Sequence, residues 1–232
     1  MRWGRNVLLS APVLGAALLV ITSIAAADTP LAAAPPSAAP PEAARGLAID
    51  NFPASHGAKL VVTTPAFKDQ GDIPLENTRY RGNVFPGLRW THGPYGTRSF
   101  VIIMQDADVN FHGGPLLHWS MYAIPGGVSR LDPAMTTPPP GASFGPNVRA
   151  PNSAYMGPRT PPGPKHHYHF AVFALDREIP VDPALTYDAL AADMAGHVLA
   201  SGEVIGLGHA DPDAKPPTPA APAAPAPPAP TH

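Results

Sequence analysis

No cysteine occurs among the 232 residues. Its absence excludes disulfides, thiolate metal ligands and a lipid anchor carried on a cysteine, so stability has to come from a core alone. Charge is sparse as well: 15 Lys and Arg stand against 17 Asp and Glu, for a net charge of -2. A chain of this balance has no broad basic field for a phosphate backbone or an acidic membrane surface, and nucleic acid is not an expected partner. Helical His-x-x-x-His spacing is also missing, and with it the most compact imidazole metal motif.

What the sequence has in excess is proline, 34 residues of it, concentrated at the two ends. Arg2 and Arg5 precede an apolar run over residues 7–24, and Ala25-Ala26-Ala27 follows. This is the layout of a signal peptide cleaved before Asp28; an uncleaved membrane anchor is the alternative, since the run is nearly long enough to span. Residues 28–45 read as an Ala/Pro linker and residues 211–232 as a Pro/Ala-rich tail, because neither holds enough branched or aromatic side chain to offset the entropy of ordering it. Residues 46–210 remain as one domain, and the leader places it in the periplasm or outside the cell.

Within that domain the pattern is β. Strands are expected at residues 59–63, at the apolar run 100–104, at the alternating run 118–124 and at 202–207. Residues 168–175 put Tyr168, Phe170, Val172 and Ala174 on one face and His169, Ala171, Phe173 and Leu175 on the other. Apolar side chains on both faces mark a strand covered on both sides, hence central to a sheet. One helix is expected, with Asp182 as N-cap, Pro183 at its first position and Gly196 just past its end. The Pro- and Gly-rich stretch 132–164 reads as a long loop of the kind that carries function.

Polar groups stand at the ends of these apolar runs. Asp106 and Asp108 follow residues 100–104, His118 opens the alternating run, and His166-His167-Tyr168-His169 opens the central strand. If the strands are neighbours, a carboxylate, imidazoles and a phenol converge on a mouth that can hold a small anion. Taken one at a time, each residue also has a plain role: Asp106 bonding turn amides, His118 as a satisfied core histidine, His167 and His169 as exposed strand positions.

The stretch Gln105-Asp106-Ala107-Asp108 followed by Leu117-His118-Trp119, and then Gly157-Pro158-Arg159-Thr160-Pro161-Pro162-Gly163 running into His166-His167-Tyr168-His169-Phe170, resembles the two signature segments of the phosphatidylethanolamine-binding (Raf-kinase-inhibitor-like) family, most closely its bacterial YbhB/YbcL-like branch. Supporting matches extend the resemblance over residues 67–207. It implies a mainly β fold, a large antiparallel sheet packed on a smaller one with few short helices. It also implies an anion pocket for a phosphate or phospholipid head group, no cofactor, and no catalysis. Carried over by position, Asp106, His118, His166 and Tyr168 fall on the pocket, Pro161 or its neighbour Pro162 on its wall, and Asp108, Gly157 and Pro158 on its approach. Some members inhibit a kinase or protease, which adds a protein target to the expectations. The family's Asp-Pro-Asp-x-Pro is here Asp106-Ala107-Asp108-Val109-Asn110, so both rim prolines are replaced.

Two other functions compete. A metal site could draw on His112, His118, His166, His167 and His169, of which His167 and His169 share a strand face. A hydrolase could use His118 or His166 as base with Asp106 orienting it, but needs a nucleophile; Ser120 is the one nearest to His118 in sequence.

Overall fold

The computed structural model describes residues 46–148 and 153–214. The leader, the linker and the tail beyond Ala214 lie outside the described residues. The chain enters through a short helix α1 (Ala48–Asn51), then β1 (Ala58–Lys59), β2 (Val62–Thr63) and β3 (Gly71–Asp72). A 3-10 turn at Leu75–Asn77 leads to β4 (Leu88–Trp90), β5 (Ser99–Phe111), β6 (Gly114–Pro125), β7 (Arg130–Leu131) and β8 (Ser143–Phe144). β9 (His166–Leu175), the helix α2 (Tyr187–Met194) and β10 (Val198–Gly208) complete it.

The strands form a large sheet in the order β1-β10-β9-β5-β6-β8, with β3 also paired to β10, and a small antiparallel sheet β2-β4-β7. The large sheet is antiparallel from β10 through β8, while the two short strands β1 and β3 run parallel to β10 and make it mixed. Its centre is β9 against β5, as the two-faced burial of residues 168–175 requires. Tyr168, Phe170, Val172 and Ala174 enter the core shared with Leu88, Trp90 and Leu131 of the small sheet. Ala171, Phe173 and Leu175 enter a second core with Phe52, Leu190 and Met194. β5 does the same, with Phe100, Ile102 and Met104 on one side and Val101 and Ile103 on the other.

Three expectations need correction. Residues 59–63 are two strands rather than one: β1 pairs with β10 and β2 with β4, so the chain steps from one sheet to the other at Leu60 and the exposed Val61. The helix does not start at Asp182. Asp182 instead closes a turn, with Oδ1 accepting the Ala184 amide at 2.8 Å, and Thr186 is the N-cap, accepting the Ala189 amide at 3.2 Å. Thr186 is extended (φ -88°, ψ 163°), so a helix begun at Pro183 cannot run through it. Finally, the 132–164 stretch contributes β8, which pairs with Met121 and Tyr122 at the sheet edge.

Candidate functional site

Asp106 and His118 do not follow or open their strands; they lie inside them. β5 and β6 are joined by a tight hairpin in which His112 (φ 53°) and Gly113 (φ 92°) both adopt positive φ, the primed-turn geometry that matches the twist of the strands. The hairpin therefore extends well past the apolar core. Its ladder breaks between the pairs Asp106↔Leu116 and Asn110↔Pro115, leaving residues 107–109 as an unpaired bulge. Asp106 Oδ1 accepts the Asp108 amide at 3.0 Å within the bulge, and Asn110 Oδ1 accepts the Gly113 amide at 3.0 Å across the hairpin turn.

β9 lies beside β5, with Asp106 opposite Tyr168. His166, at the first position of β9, places Nδ1 2.8 Å from Asp106 Oδ2. The carboxylate only accepts, so the proton sits on Nδ1 and Nε2 is the remaining edge of the ring. The rings of His166 and Tyr168 stack at 6.5 Å, and His118 meets Tyr168 edge to face at 5.1 Å. His118 donates from Nδ1 to the Met156 carbonyl at 3.3 Å. Both imidazoles therefore donate through Nε2 only when protonated. Burial pushes the Tyr168 phenol well above its ordinary range, and the Asp106 charge adds to the effect while the bond from Thr160 opposes it. It stays a neutral phenol, 3.0 Å from Thr160 Oγ1.

Asp108 and His167 form a second pair further out. Partial burial works against the Asp108 charge, but bonds from the His167 amide at 2.6 Å and ring at 2.9 Å outweigh it and hold the carboxyl below the usual range. His169, on the same face as His167, pairs instead with Glu203 across to β10 at 2.9 Å.

Asp106, His118, His166 and Tyr168 thus form one contact cluster. Gly157 and Pro158 are buried beside it, and a side chain at Gly157 would stand 2.4 Å from the Asn77 carbonyl. Pro161 and Pro162 are both exposed. The buried residue of that segment is Thr160, at 1 % exposure. His118 opens onto a cleft of about 240 Å³, lined also by Arg79, Phe111, Leu116, Val148 and Met156.

Of residues 78–83 only Gly82 and Asn83 fall in a segment that resembles the family, yet the whole loop holds the strip 155–160 in place. The Arg79 amide donates to the Pro158 carbonyl (2.8 Å), and the Tyr80 hydroxyl to the Thr160 carbonyl (2.5 Å). Asn83 accepts the Gly157 amide (2.8 Å) and donates to the Tyr155 carbonyl (2.7 Å). Arg81 turns the other way and grips Asp211 through two nitrogens, at 2.6 and 2.9 Å, and Asp213 at 2.9 Å. The start of the segment read as tail is therefore tied to the site's supporting loop.

A Gly-x-Ser-x-Gly spacing does occur, at Gly141-Ala142-Ser143-Phe144-Gly145. Ser143 lies in the edge strand β8, donating to the Phe144 carbonyl, and not on a strand-to-helix turn, so the spacing forms no nucleophile elbow.

Comparison with known proteins bears on the family and the fold. The family model described as phosphatidylethanolamine-binding protein matches residues 63–209. A UPF0098 protein of Aquifex aeolicus is 33% identical over 168 residues, covering 70% of this chain and 96% of the relative. A Mycobacterium tuberculosis protein named as a lipoprotein, LppC, is 32% identical over 136 residues, 58% of this chain and 64% of its own. The solved structure of Escherichia coli YbcL, described as a member of the mammalian PEBP family, aligns with a TM-score of 0.61 at 27% identity, over 66% of this chain and 100% of that one. The CT736 homologue from Chlamydia trachomatis gives 0.60 at 28%, over 66% and 99%. With a family match across most of the domain and the two-sheet fold shared with YbcL and CT736, this chain belongs to the phosphatidylethanolamine-binding protein family.

Proposed function

We propose that the chain is an exported binding protein whose cleft beside His118 holds the phosphate of a small anion or a phospholipid head group, without turning it over. The observation that carries this reading is the alignment of His166 by the buried Asp106, with His118 and Tyr168 packed around it. It fixes two imidazoles, each with Nδ1 already given to an acceptor. The hydrolase alternative needs a hydroxyl within the cluster. Ser120 is fully buried and donates to the Pro146 carbonyl at 2.6 Å, and the Thr160 hydroxyl bonds to Tyr168. The metal alternative needs gathered donors, whereas His166, His167 and His169 are each paired with a separate carboxylate. A kinase or protease target rests on the family alone and plays no part in this reading.

Titrating inorganic phosphate by calorimetry into the wild type, His118→Ala, His166→Ala and His167→Ala tests it. The first two variants should lose roughly 1.5 to 3 kcal/mol of binding, the range for a hydrogen bond to a charged group, and the third much less. Equal affinities across the four proteins would sink the reading. Export is checked by terminal sequencing of protein from its own host, which should begin at or near Asp28; an intact Met1 on membrane-bound protein would make the leader an anchor.

A further inference from the structure

The Met156 carbonyl and the Gly157 amide belong to one peptide group, and each end of it has a side-chain partner. The carbonyl accepts His118 Nδ1 at 3.3 Å, and the amide donates to Asn83 Oδ1 at 2.8 Å. A trans peptide is planar with its C=O and N–H pointing opposite ways, so a side chain that fixes one end aims the other. Asn83 Oδ1 therefore directs the carbonyl that the His118 ring meets. Asn83 Nδ2 donates to the Tyr155 carbonyl at 2.7 Å, so the same side chain holds the preceding peptide group as well.

The plane needs holding because its second residue is glycine. A Cβ at position 157 would stand 2.4 Å from the Asn77 carbonyl, so the close approach admits no side chain. The glycine that fits also leaves φ of residue 157 permissive, and rotation about it and about ψ of Met156 would turn the carbonyl away from the ring. Asn77 holds the neighbouring residue: its carbonyl accepts the Tyr155 hydroxyl at 3.0 Å, while its Nδ2 donates to the Val84 carbonyl at 2.9 Å. Asn83 itself has φ 53°, a left-handed backbone that asparagine tolerates better than most residues.

We infer that Asn83 is a positioning residue for the site: through the 156–157 peptide plane it fixes the orientation of His118 and keeps a proton on Nδ1. The inference rests on the reading above that the cleft beside His118 takes phosphate, and it concerns the Nδ1 side of the ring alone. A carbonyl facing Nδ1 decides which nitrogen holds the proton. A peptide whose N–H is already bonded is also the more polarised acceptor. With the clamp removed, the ring is left to turn and to exchange tautomers.

The test uses the full chain with 15N in its histidine side chains, the His118 signals being those that vanish in His118→Ala. Asn83→Gly accepts φ 53° without strain, so it removes the two bonds and little else. Asn83→Asp keeps an acceptor for the Gly157 amide. Wild type should show a protonated Nδ1, Asn83→Gly should move that signal toward the average of an exchanging ring, and Asn83→Asp should retain the wild-type pattern. Inorganic phosphate, titrated by calorimetry, should bind Asn83→Gly about tenfold more weakly, the size of one charge-assisted bond. Thr186→Ala removes the N-cap of α2, on the other face of the large sheet, and serves as a destabilised control. Its His118 signals should be unchanged and its phosphate affinity within about twofold of wild type.

His118 signals that stay put in Asn83→Gly, or that move equally in Thr186→Ala, would overturn the assignment. Moved signals with phosphate affinity within about twofold of wild type would overturn the role in binding. If wild type binds no phosphate, the reading of the site falls, and the His118 signals alone decide whether Asn83 sets the ring.

Discussion

Two aspartate–histidine pairs lie side by side at one end of the large sheet and differ almost only in depth. Asp106–His166 and Asp108–His167 have Nδ1–Oδ2 distances of 2.8 and 2.9 Å. The side chains of the first pair are 2 % and 15 % exposed, those of the second 39 % and 47 %. An ion pair in water is worth little because solvent screens it and its side chains lose freedom in forming it. A pair out of water becomes a commitment: removing one member leaves the other desolvated without a partner. The inner pair can therefore fix a ring for binding, while the outer pair closes the strand edge around it.

Replacing Asp106 by Ala should have the largest effect. It removes the acceptor of both the His166 ring and the Asp108 amide. The expected loss, read by urea denaturation, is about 2 to 3 kcal/mol, the cost of leaving a buried ring donor and a backbone amide without their acceptor. Asp106→Asn retains an acceptor for the Asp108 amide and should cost less. An Asp106→Ala protein as stable as wild type would erase the distinction between the pairs.

The Arg81–Asp211 pair sharpens the comparison from a third position. The bidentate hydrogen bond from Arg81 holds the Asp211 carboxyl at about 2, below its ordinary value of 3.8. A carboxylate whose pKa is lowered on folding adds stability above its unfolded pKa and loses it as pH falls through the folded one. Between about pH 4 and pH 2 the grip on residues 78–83 should loosen, and in Asp211→Asn that pH dependence should be absent. NMR titration of the Asp211 carboxyl checks this; an Asp211 midpoint near 4 would show that the latch is not formed in solution.

The smallest effect is expected from the outer pair. Asp108→Ala or His167→Ala should change stability by less than about 1 kcal/mol, screened as the pair is. Thermal unfolding of both variants measures it. A larger fall in Asp108→Ala alone would show that its bond to the His167 amide, rather than the ion pair, is what matters.

How much of this could be read from sequence divides along the same line. Polar groups closing the apolar runs pointed to Asp106, Asp108, His118 and residues 166–169, and the resemblance to the family's signature segments singled out Asp106, His118, His166 and Tyr168 among them. The supporting role of loop 78–83 was not legible, although Gly82 and Asn83 belong to a segment that resembles the family. Its work is done by main-chain groups and by Tyr80 and Asn83 reaching residues some 70 to 80 positions away, as in Asn83 to Tyr155 and Tyr80 to Thr160. Backbone hydrogen bonds carry no residue type for a pattern to show. The same blindness misplaced the helix start, since Asp182 and Thr186 are both competent caps and only the packing of Leu185 and Leu190 into the second core decides between them. Pro161 was a positional inference; the buried residue beside Tyr168 is Thr160, held by its hydroxyl.

β5 and β9 are at once the innermost strands of the sheet and the carriers of the pocket cluster. Asp106 and Tyr168 form the last rung of the β5–β9 ladder, so a molecule seated beside them binds a folded strand end that the unfolded chain does not offer. Any molecule seated there must raise the unfolding temperature, by an amount equivalent to about 2.7 kcal/mol at a hundredfold excess over its dissociation constant. The protein is thus its own reporter: a panel of phosphate esters and lipids can be ranked by heating alone, without a label on either partner.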